Sequence, residues 1–394
     1  MWKCKGFFAG GHTDRLRSGT FIKKLTGCVL VGSVLLPVAT ACGKSAHPGH
    51  LGLLDECEVQ VNSESPGSTE TLVNTENPAK QEEIVISFVG DIMLSRGVQQ
   101  YLDENGYQYP YEEVKQIFEQ DDFTIGNLEC PITEYDFGAN KEKRFVFRGD
   151  IENAKALKDA GFDCLNLANN HSMDYLSNGL GETIEHLAGE DIIVVGAGMD
   201  ASSPTDYILD KNGMRIGIMA FSVFPTEGFF YDAGEPTVSY VSDYNLEEIG
   251  ERIEALDATF KIVYFHWGAE YRPYHSEMQE KYAHFAIDSG ADFVVGAHPH
   301  VLQDVEYYKD KPICYSLGNF IFNQSIPKTA AVKVTIDGEN EPVVQLIAAT
   351  AENARTTVCK GSKKSDIYDY LESISTGISI DDNGILSQTA PSSD

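Results

Sequence analysis

Ile84-Val85-Ile86-Ser87-Phe88-Val89, continuing at once into Gly90-Asp91, is the stretch that decides how this chain is read. Six residues of mostly β-branched and aromatic type, without a charge, describe a strand buried on both faces. The glycine lets the backbone turn sharply at its end and leaves a carboxylate there. Similar short apolar runs cover Phe123–Leu128, Cys164–Ala168, Ile192–Val195, Ile216–Phe221, Ile262–Phe265, Phe293–Val295 and Ile313–Leu317. Helix-like stretches lie between several of them, at Glu112–Glu119, Ile151–Ala160, Gly179–Glu190, Leu246–Leu256 and Glu277–Ser289. Strands alternating with helices of this length predict an α/β sheet with covered faces. Ala331–Ile336 and Pro342–Ala348 flank Asp337-Gly338 and predict a C-terminal β-hairpin.

The residues at the ends of these strands carry the chemistry. The first run ends in Gly90-Asp91, the second in Gly126-Asn127-Leu128-Glu129 and the third in Asn169-Asn170-His171. Later, Phe265 leads into His266-Trp267-Gly268, Val295 into Gly296-Ala297-His298-Pro299-His300, and Tyr315-Ser316-Leu317 into Gly318-Asn319-Phe320. Loops leaving the carboxyl ends of strands form the ligand crevice of open α/β sheets. One Asp, one Glu, several Asn and four His are therefore delivered to one edge. Imidazole and carboxylate together suit Zn, Fe, Mn or a similar divalent ion, and thiolates are missing from the set. A carboxylate such as Glu129 can bridge two ions, and two ions can clamp a phosphoryl group and supply a nucleophile near neutral pH. Singly, Asp91 reads equally as a helix cap, His171 as a loop histidine and Trp267 as core. The ordered set is the signal.

The N-terminus sets the compartment. Lys23 and Lys24 precede an apolar run from Leu25 to Ala41, and then comes Ala41-Cys42-Gly43. This is the pattern of a bacterial lipoprotein signal, with Cys42 as the lipidated first residue. The alternative is an uncleaved anchor, for which the run is slightly shorter than the ~20 residues a spanning helix needs. Either reading places the rest outside the cytoplasm, tied to the membrane. Residues 42–82, rich in Ser, Glu, Asn, Thr, Pro and Gly, read as a flexible stalk. A core domain at 83–325, a hairpin at 326–350 completing it and a weakly ordered acidic tail at 351–394 complete the expected organisation.

Charge narrows the partners. The whole chain carries 30 Lys+Arg against 60 Asp+Glu, and residues 42–394 carry 24 against 59. A surface this acidic repels nucleic acid, and an anionic ligand needs a local positive site of metal ions or placed arginines. Cys57, Cys130, Cys164, Cys314 and Cys359 are widely spaced, without a disulfide-framework or CxxC zinc pattern.

Phe88-Val89-Gly90-Asp91-Ile92-Met93-Leu94, Gly126-Asn127-Leu128-Glu129, Asn169-Asn170-His171, His266-Trp267-Gly268, Gly296-Ala297-His298-Pro299-His300-Val301-Leu302-Gln303 and Ser316-Leu317-Gly318-Asn319-Phe320 together resemble the CapA family of capsule and poly-γ-glutamate synthesis proteins. That family is a branch of the calcineurin-like metallophosphoesterases, and the resemblance runs from about Val85 to Phe322. It implies a two-layered β-sandwich flanked by helices, with one or two divalent transition ions. It implies Asp91, Glu129, Asn170, His266, His298 and His300 as metal ligands and His171 as general acid or transition-state stabiliser. Arg96, in the helix after Asp91, and Arg148 stand as anion clamps, with Asn127 and Asn319 as further substrate contacts. Arg148 reads equally as a solvated charge beside Lys141-Glu142-Lys143-Arg144. The chain departs from the wider superfamily pattern at Met93, where a histidine is usual, and at Asn127 and Glu129, where aspartates are usual.

The expected function is surface-anchored work in capsule or poly-γ-glutamate biosynthesis or export: metal-dependent processing or binding of an anionic polymer or a phosphorylated small molecule. The alternatives are a non-catalytic polymer-binding or scaffold subunit beside membrane-embedded synthase or export subunits, and a secreted metal-dependent phosphoesterase or nucleotidase.

Overall fold

The computed structural model describes residues 82–203, 205–225 and 232–389. The expected signal segment with Cys42, and nearly all of the expected stalk, lie outside the described residues. Strands β1 (Ile84–Ile92), β2 (Phe123–Leu128), β3 (Cys164–Asn166), β4 (Ile193–Val195), β5 (Tyr207–Lys211), β6 (Met214–Ser222) and β7 (Phe260–His266) come first. After them come β8 (Phe293–Ala297), β9 (Val305–Tyr308), β10 (Lys311–Cys314), β11 (Asn319–Ile321), β12 (Ile326–Ile336), β13 (Val343–Glu352) and β14 (Arg355–Val358). The main helices are α1 (Gly97–Asn105), α2 (Glu152–Ala160), α3 (Leu176–Gly189), α4 (Leu246–Ala255), α5 (Glu277–Asp288) and α6 (Ser362–Ile374).

Two sheets result. One has the order β14-β13-β12-β1-β2-β3-β4, with β11 also pairing β1; the other has the order β9-β10-β8-β7-β6-β5. Within the first, β1 to β4 are parallel; within the second, β6, β7, β8 and β10 are parallel. The period-2 alternation of a strand explains how they stack. In β7, Ile262 and Tyr264 join Ile86 and Phe88 of β1 in a shared inter-sheet core. Their neighbours Val263 and Phe265 turn outward to Ile253 of α4 and Ala283 of α5. Val98, Leu157 and Leu180 of α1, α2 and α3 cover the outer face of the first sheet. The molecule is thus the expected α/β sandwich of two sheets with helices outside and a C-terminal hairpin, β12–β13.

The sheets are stitched beside the site. Phe88 meets Phe293 with ring centroids 5.4 Å apart, and the Tyr264 hydroxyl donates to the Val89 carbonyl at 2.7 Å. α5 begins at a capping box in which Ser276 and Gln279 satisfy each other's backbone N–H groups.

Three local expectations are corrected. Residues 351–389 do not fray: β14 extends the first sheet, and α6 packs Ile367, Tyr368 and Leu371 into the inter-sheet core. Their apolar residues at helical spacing were masked by the surrounding acidic and polar sequence. Residues 112–119 form only the short helix Lys115–Phe118 after a 3₁₀ turn at Tyr109–Tyr111. Asn319 opens a short strand paired with Asp91 rather than a loop.

Candidate metal centre

The carboxyl edge of β1 is shaped by a glycine. β1 pairs with β12 as far as Phe88 and with β11 from Asp91 on, with an irregularity between. A Cβ on Gly90 would lie 1.8 Å from the Gly318 carbonyl oxygen, which accepts the Asp91 N–H at 3.0 Å. Only glycine lets the two backbones approach so closely, and the bulge re-aims Asp91 into the space between the sheets. Glu129 comes directly after β2, with its N–H donated to the Ile92 carbonyl at 2.9 Å. Asn169, Asn170 and His171 lie beyond β3, His266 ends β7, and His298 and His300 lie beyond β8. His298 and His300 hold φ of 95° and 58°, in the left-handed region that non-glycine residues avoid. Strain of this kind concentrates where a side chain must be aimed.

These groups converge. The His298 Nδ1 lies 3.1 Å from His266 Nε2, and the His298 backbone N–H donates to both Asp91 carboxylate oxygens at 3.2 and 3.3 Å. His266 Nε2 is 2.8 Å from the Asn170 side-chain oxygen and 3.7 Å from Glu129 Oε1. His300 Nδ1 is 3.3 Å from Asp91 Oδ2 and 3.9 Å from Glu129 Oε2. Glu129, His266 and His298 can thus hold one cation and Asp91, Glu129 and His300 a second, with Glu129 common to both.

Electrostatics favours a cation here. Glu129 is fully buried, and neither carboxylate oxygen has a hydrogen-bond partner. Burial, then the Asp91 charge, pushes its carboxyl well above the usual range. Burial holds the His266 and His298 imidazoles well below the ordinary value, so their nitrogens keep lone pairs for a ligand. Burial also opposes a charge on His300, but the Glu129 and Asp91 carboxylates override it and lift His300 to about 10. An orphaned buried carboxylate among neutral imidazoles is the donor set of a divalent-metal site.

The remaining sequence-derived residues divide. His171 lines a cavity of about 270 Å³ over the cluster, together with Glu129, His300, Met93 and Arg96. Arg96 stands just before α1, not in it, and donates from Nη2 to the Val146 carbonyl at 3.0 Å while stacking on Phe147. Arg148 does not line this cavity; its guanidinium lies over the Tyr175 ring, 5.5 Å away. Asn127 sits behind the ligands, whereas Asn319 both supports His300 and lines a neighbouring hollow. Asn127 donates to Asp91 at 2.8 Å, touches His266 at 3.2 Å and accepts from Asn166 and Asn169; Asn319 meets His300 at 2.8 Å. Trp267 is core, its Nε1–H donated to the Tyr315 carbonyl at 2.8 Å.

Sequence reasoning missed Lys143 and Asp174. Asp174 accepts from His171 Nδ1 at 2.9 Å and from Lys143 Nζ at 2.5 Å, and Lys143 also donates to the Asn170 carbonyl. Asp174 is buried and the Lys143 side chain is largely covered, although Lys143 stands in a run of charges that reads as solvated. Glu270 and Tyr271, which share the cavity wall with His300, lie too close behind His266 to be singled out as separate signals.

Fold and cluster together define an α/β sandwich with a candidate divalent-metal centre where the parallel strands of both sheets end. The family model described as bacterial capsule synthesis protein PGA_cap matches residues 85–324, and the chain belongs to that family. It is similar to the PGA biosynthesis protein CapA of Bacillus subtilis (strain 168), 35% identical over 246 residues covering 62% of this chain and 64% of that protein. It is also similar to the capsule biosynthesis protein CapA of Bacillus anthracis, 34% identical over 256 residues covering 64% of this chain and 62% of that protein. The match therefore spans less than two thirds of either relative. Among solved structures, the NAD nucleotidase of Haemophilus influenzae is 14% identical with a TM-score of 0.45, covering 75% of this chain and 64% of that one. A likeness that distant decides nothing about activity.

Proposed function

We propose that this chain acts outside the cytoplasm, held to the membrane through Cys42, where it binds and processes an anionic polymer or a phosphorylated intermediate of capsule synthesis. The observation that carries the reading is Glu129: a fully buried carboxylate with both oxygens unpartnered, at the shared corner of two ligand groups. Family membership supplies the capsule context, and the Lys23–Cys42 sequence pattern supports the location. Among the described residues, no helix is long and apolar enough to cross a membrane.

Asp91, Glu129, Asn170, His266, His298 and His300 would hold one or two ions of Mn, Zn or Fe. Such ions, when bound, supply Lewis-acid polarisation and a strong nucleophile near neutral pH. The chain's own residues do the rest. Asp174 accepts from the His171 Nδ1, which fixes the tautomer and leaves Nε2 as the ring nitrogen able to exchange a proton with a leaving group in the cavity. Arg96 places a guanidinium on the rim, where it can neutralise a substrate anion. Metal analysis of the full chain, purified without chelator, tests the reading. One or two ions per chain, lost together with turnover in a folded Glu129→Ala variant, supports it; unchanged turnover overturns it.

Met93 favours a second reading. It stands in the cavity wall where a histidine ligand is usual, and a thioether is a poor partner for a hard ion. The chain would then be a non-catalytic polymer-holding or scaffold subunit beside membrane-embedded synthase partners. Polymer production rescued in a deletion strain by the Glu129→Ala variant would select this reading.

A further inference from the structure

The cavity over the candidate metal centre does not stand alone. Tyr271, His300 and Gln324 line it, and the same three residues line a second hollow of about 340 Å³ that continues to Lys328 and Tyr370. Because they share these three residues, the two hollows can be followed as one groove with His300 on the shared wall, Arg96 lining the first hollow and Lys328 the second.

The two cations are held in the same way. Among the described residues, neither Arg96 nor Lys328 has a carboxylate within ion-pair distance, whereas Lys155, Lys211, Arg252, Lys281 and Lys309 all do. Each is held instead against an aromatic face: Arg96 lies 4.6 Å from the Phe147 centroid and Lys328 Nζ 3.6 Å from the Tyr370 centroid. A ring holds a cation without satisfying its N–H groups as a carboxylate would, so those donors stay available to an incoming anion. Lys328 also borders a further hollow lined by Glu352, Lys363 and Asp366, and those two carboxylates end the attraction on that side. Glu270 is the one carboxylate on the outer rim of the first cavity and works against an anion at that point.

Resting on the polymer reading above, we propose that Lys328 and Tyr370 form a second subsite, so that a linear polycarboxylate lies along the groove from Arg96 past His300 to Lys328. An internal segment of the chain then occupies the centre, and carboxylates on either side of it are engaged at once. Two contacts on one flexible ligand reinforce each other through effective concentration, so affinity rises with ligand length until both cations are reached.

Fluorescence anisotropy with length-fractionated sodium poly-γ-glutamate, on the divalent-loaded full chain, tests this. Fractions long enough to span the groove should lose roughly 3- to 10-fold in affinity in Lys328→Gln, and Lys328→Arg should restore it. Glutamate dimers should be indifferent to Lys328→Gln yet weakened by Arg96→Gln. Equal affinity of Lys328→Gln and the parent for long fractions overturns the second subsite and leaves the polymer reading standing. No binding of any fraction to a folded, metal-loaded parent overturns both.

Discussion

The two ligand groups that share Glu129 sit in different surroundings. Glu129, His266 and His298 form a nitrogen-rich half, with the Phe224 ring 4.2 Å from that of His298 and both imidazoles kept neutral by burial. Asp91, Glu129 and His300 form an oxygen-rich half, in which Met93 takes the place of another nitrogen and His300 is pulled toward its charged form. In the first half an ion meets ready lone pairs. In the second it competes with the proton that the two carboxylates draw onto His300. One shared carboxylate therefore does not make two equal sites: the nitrogen-rich half should fill first and prefer the transition ions, the other later and more weakly.

Removing the shared corner should have the largest effect. Glu129→Gln is expected to abolish uptake in both halves, together with the metal-dependent rise in stability, about 2.7 kcal/mol at an ion concentration 100 times Kd. Stability without metal should not fall, because the substitution removes a like charge beside Asp91; thermal melts with and without added Mn or Zn measure both. A retained metal-dependent rise would remove Glu129 from both halves and leave the contrast between them without a basis.

His298→Ala should act on one half only, lowering stoichiometry by one ion and leaving uptake at Asp91 and His300 intact, as read by calorimetric titration. Loss of both ions would show that the halves fill as a unit. Met93→His supplies the oxygen-rich half with a nitrogen and should tighten its ion by about 10-fold, within the range over which site residues tune metal affinity. No change would mean that the position lies out of ligating reach.

The smallest effect belongs to a histidine outside both halves. Burial opposes the charge on His275, but Asp304, 2.7 Å away, raises its pKa above the ordinary value. A raised folded-state value stabilises the fold fully below about pH 6.5 and loses that contribution as pH rises through the folded-state value. His275→Gln should therefore destabilise more at acidic than at alkaline pH. The cost should be under about 1 kcal/mol for a partly exposed group, and it should be independent of metal, as pH-dependent denaturant melts would show. A metal-dependent difference would tie this region to the centre and redraw the boundary around the two halves.

Much of this was legible in the chain. The apolar runs at β1, β2, β6, β7 and β8 are local signals, because a strand buried on both faces must be apolar along its length. The polar residues that end those runs are as visible, so Asp91, Glu129, His171, His266, His298 and His300 could be named before any geometry. The residues that escaped are non-local cases. Lys143 sits in a run of charges that looks solvated, and only the approach of the segment after β3 turns it into the largely covered partner of Asp174. Asn127 has the residue type of a substrate contact, but its neighbours across the edge make it a support for Asp91 and His266, while Asn319 supports His300 and still lines a hollow. Arg148 and Arg96 look alike in sequence, and the path of the backbone sends one to Tyr175 and the other to the cavity rim.

Strand ends, ligand types and their order are thus properties of the chain alone, since they depend on periodicity and on which residues come after each apolar run. Three-dimensional packing was needed for the carboxyl edges of two separate sheets to meet, for Glu129 to belong to both ligand groups, and for residues 351–389 to close the core. Those outcomes rest on contacts between segments up to some two hundred residues apart, such as the His298 N–H on Asp91 and the Tyr264 hydroxyl on Val89. No local pattern encodes which buried faces will find each other.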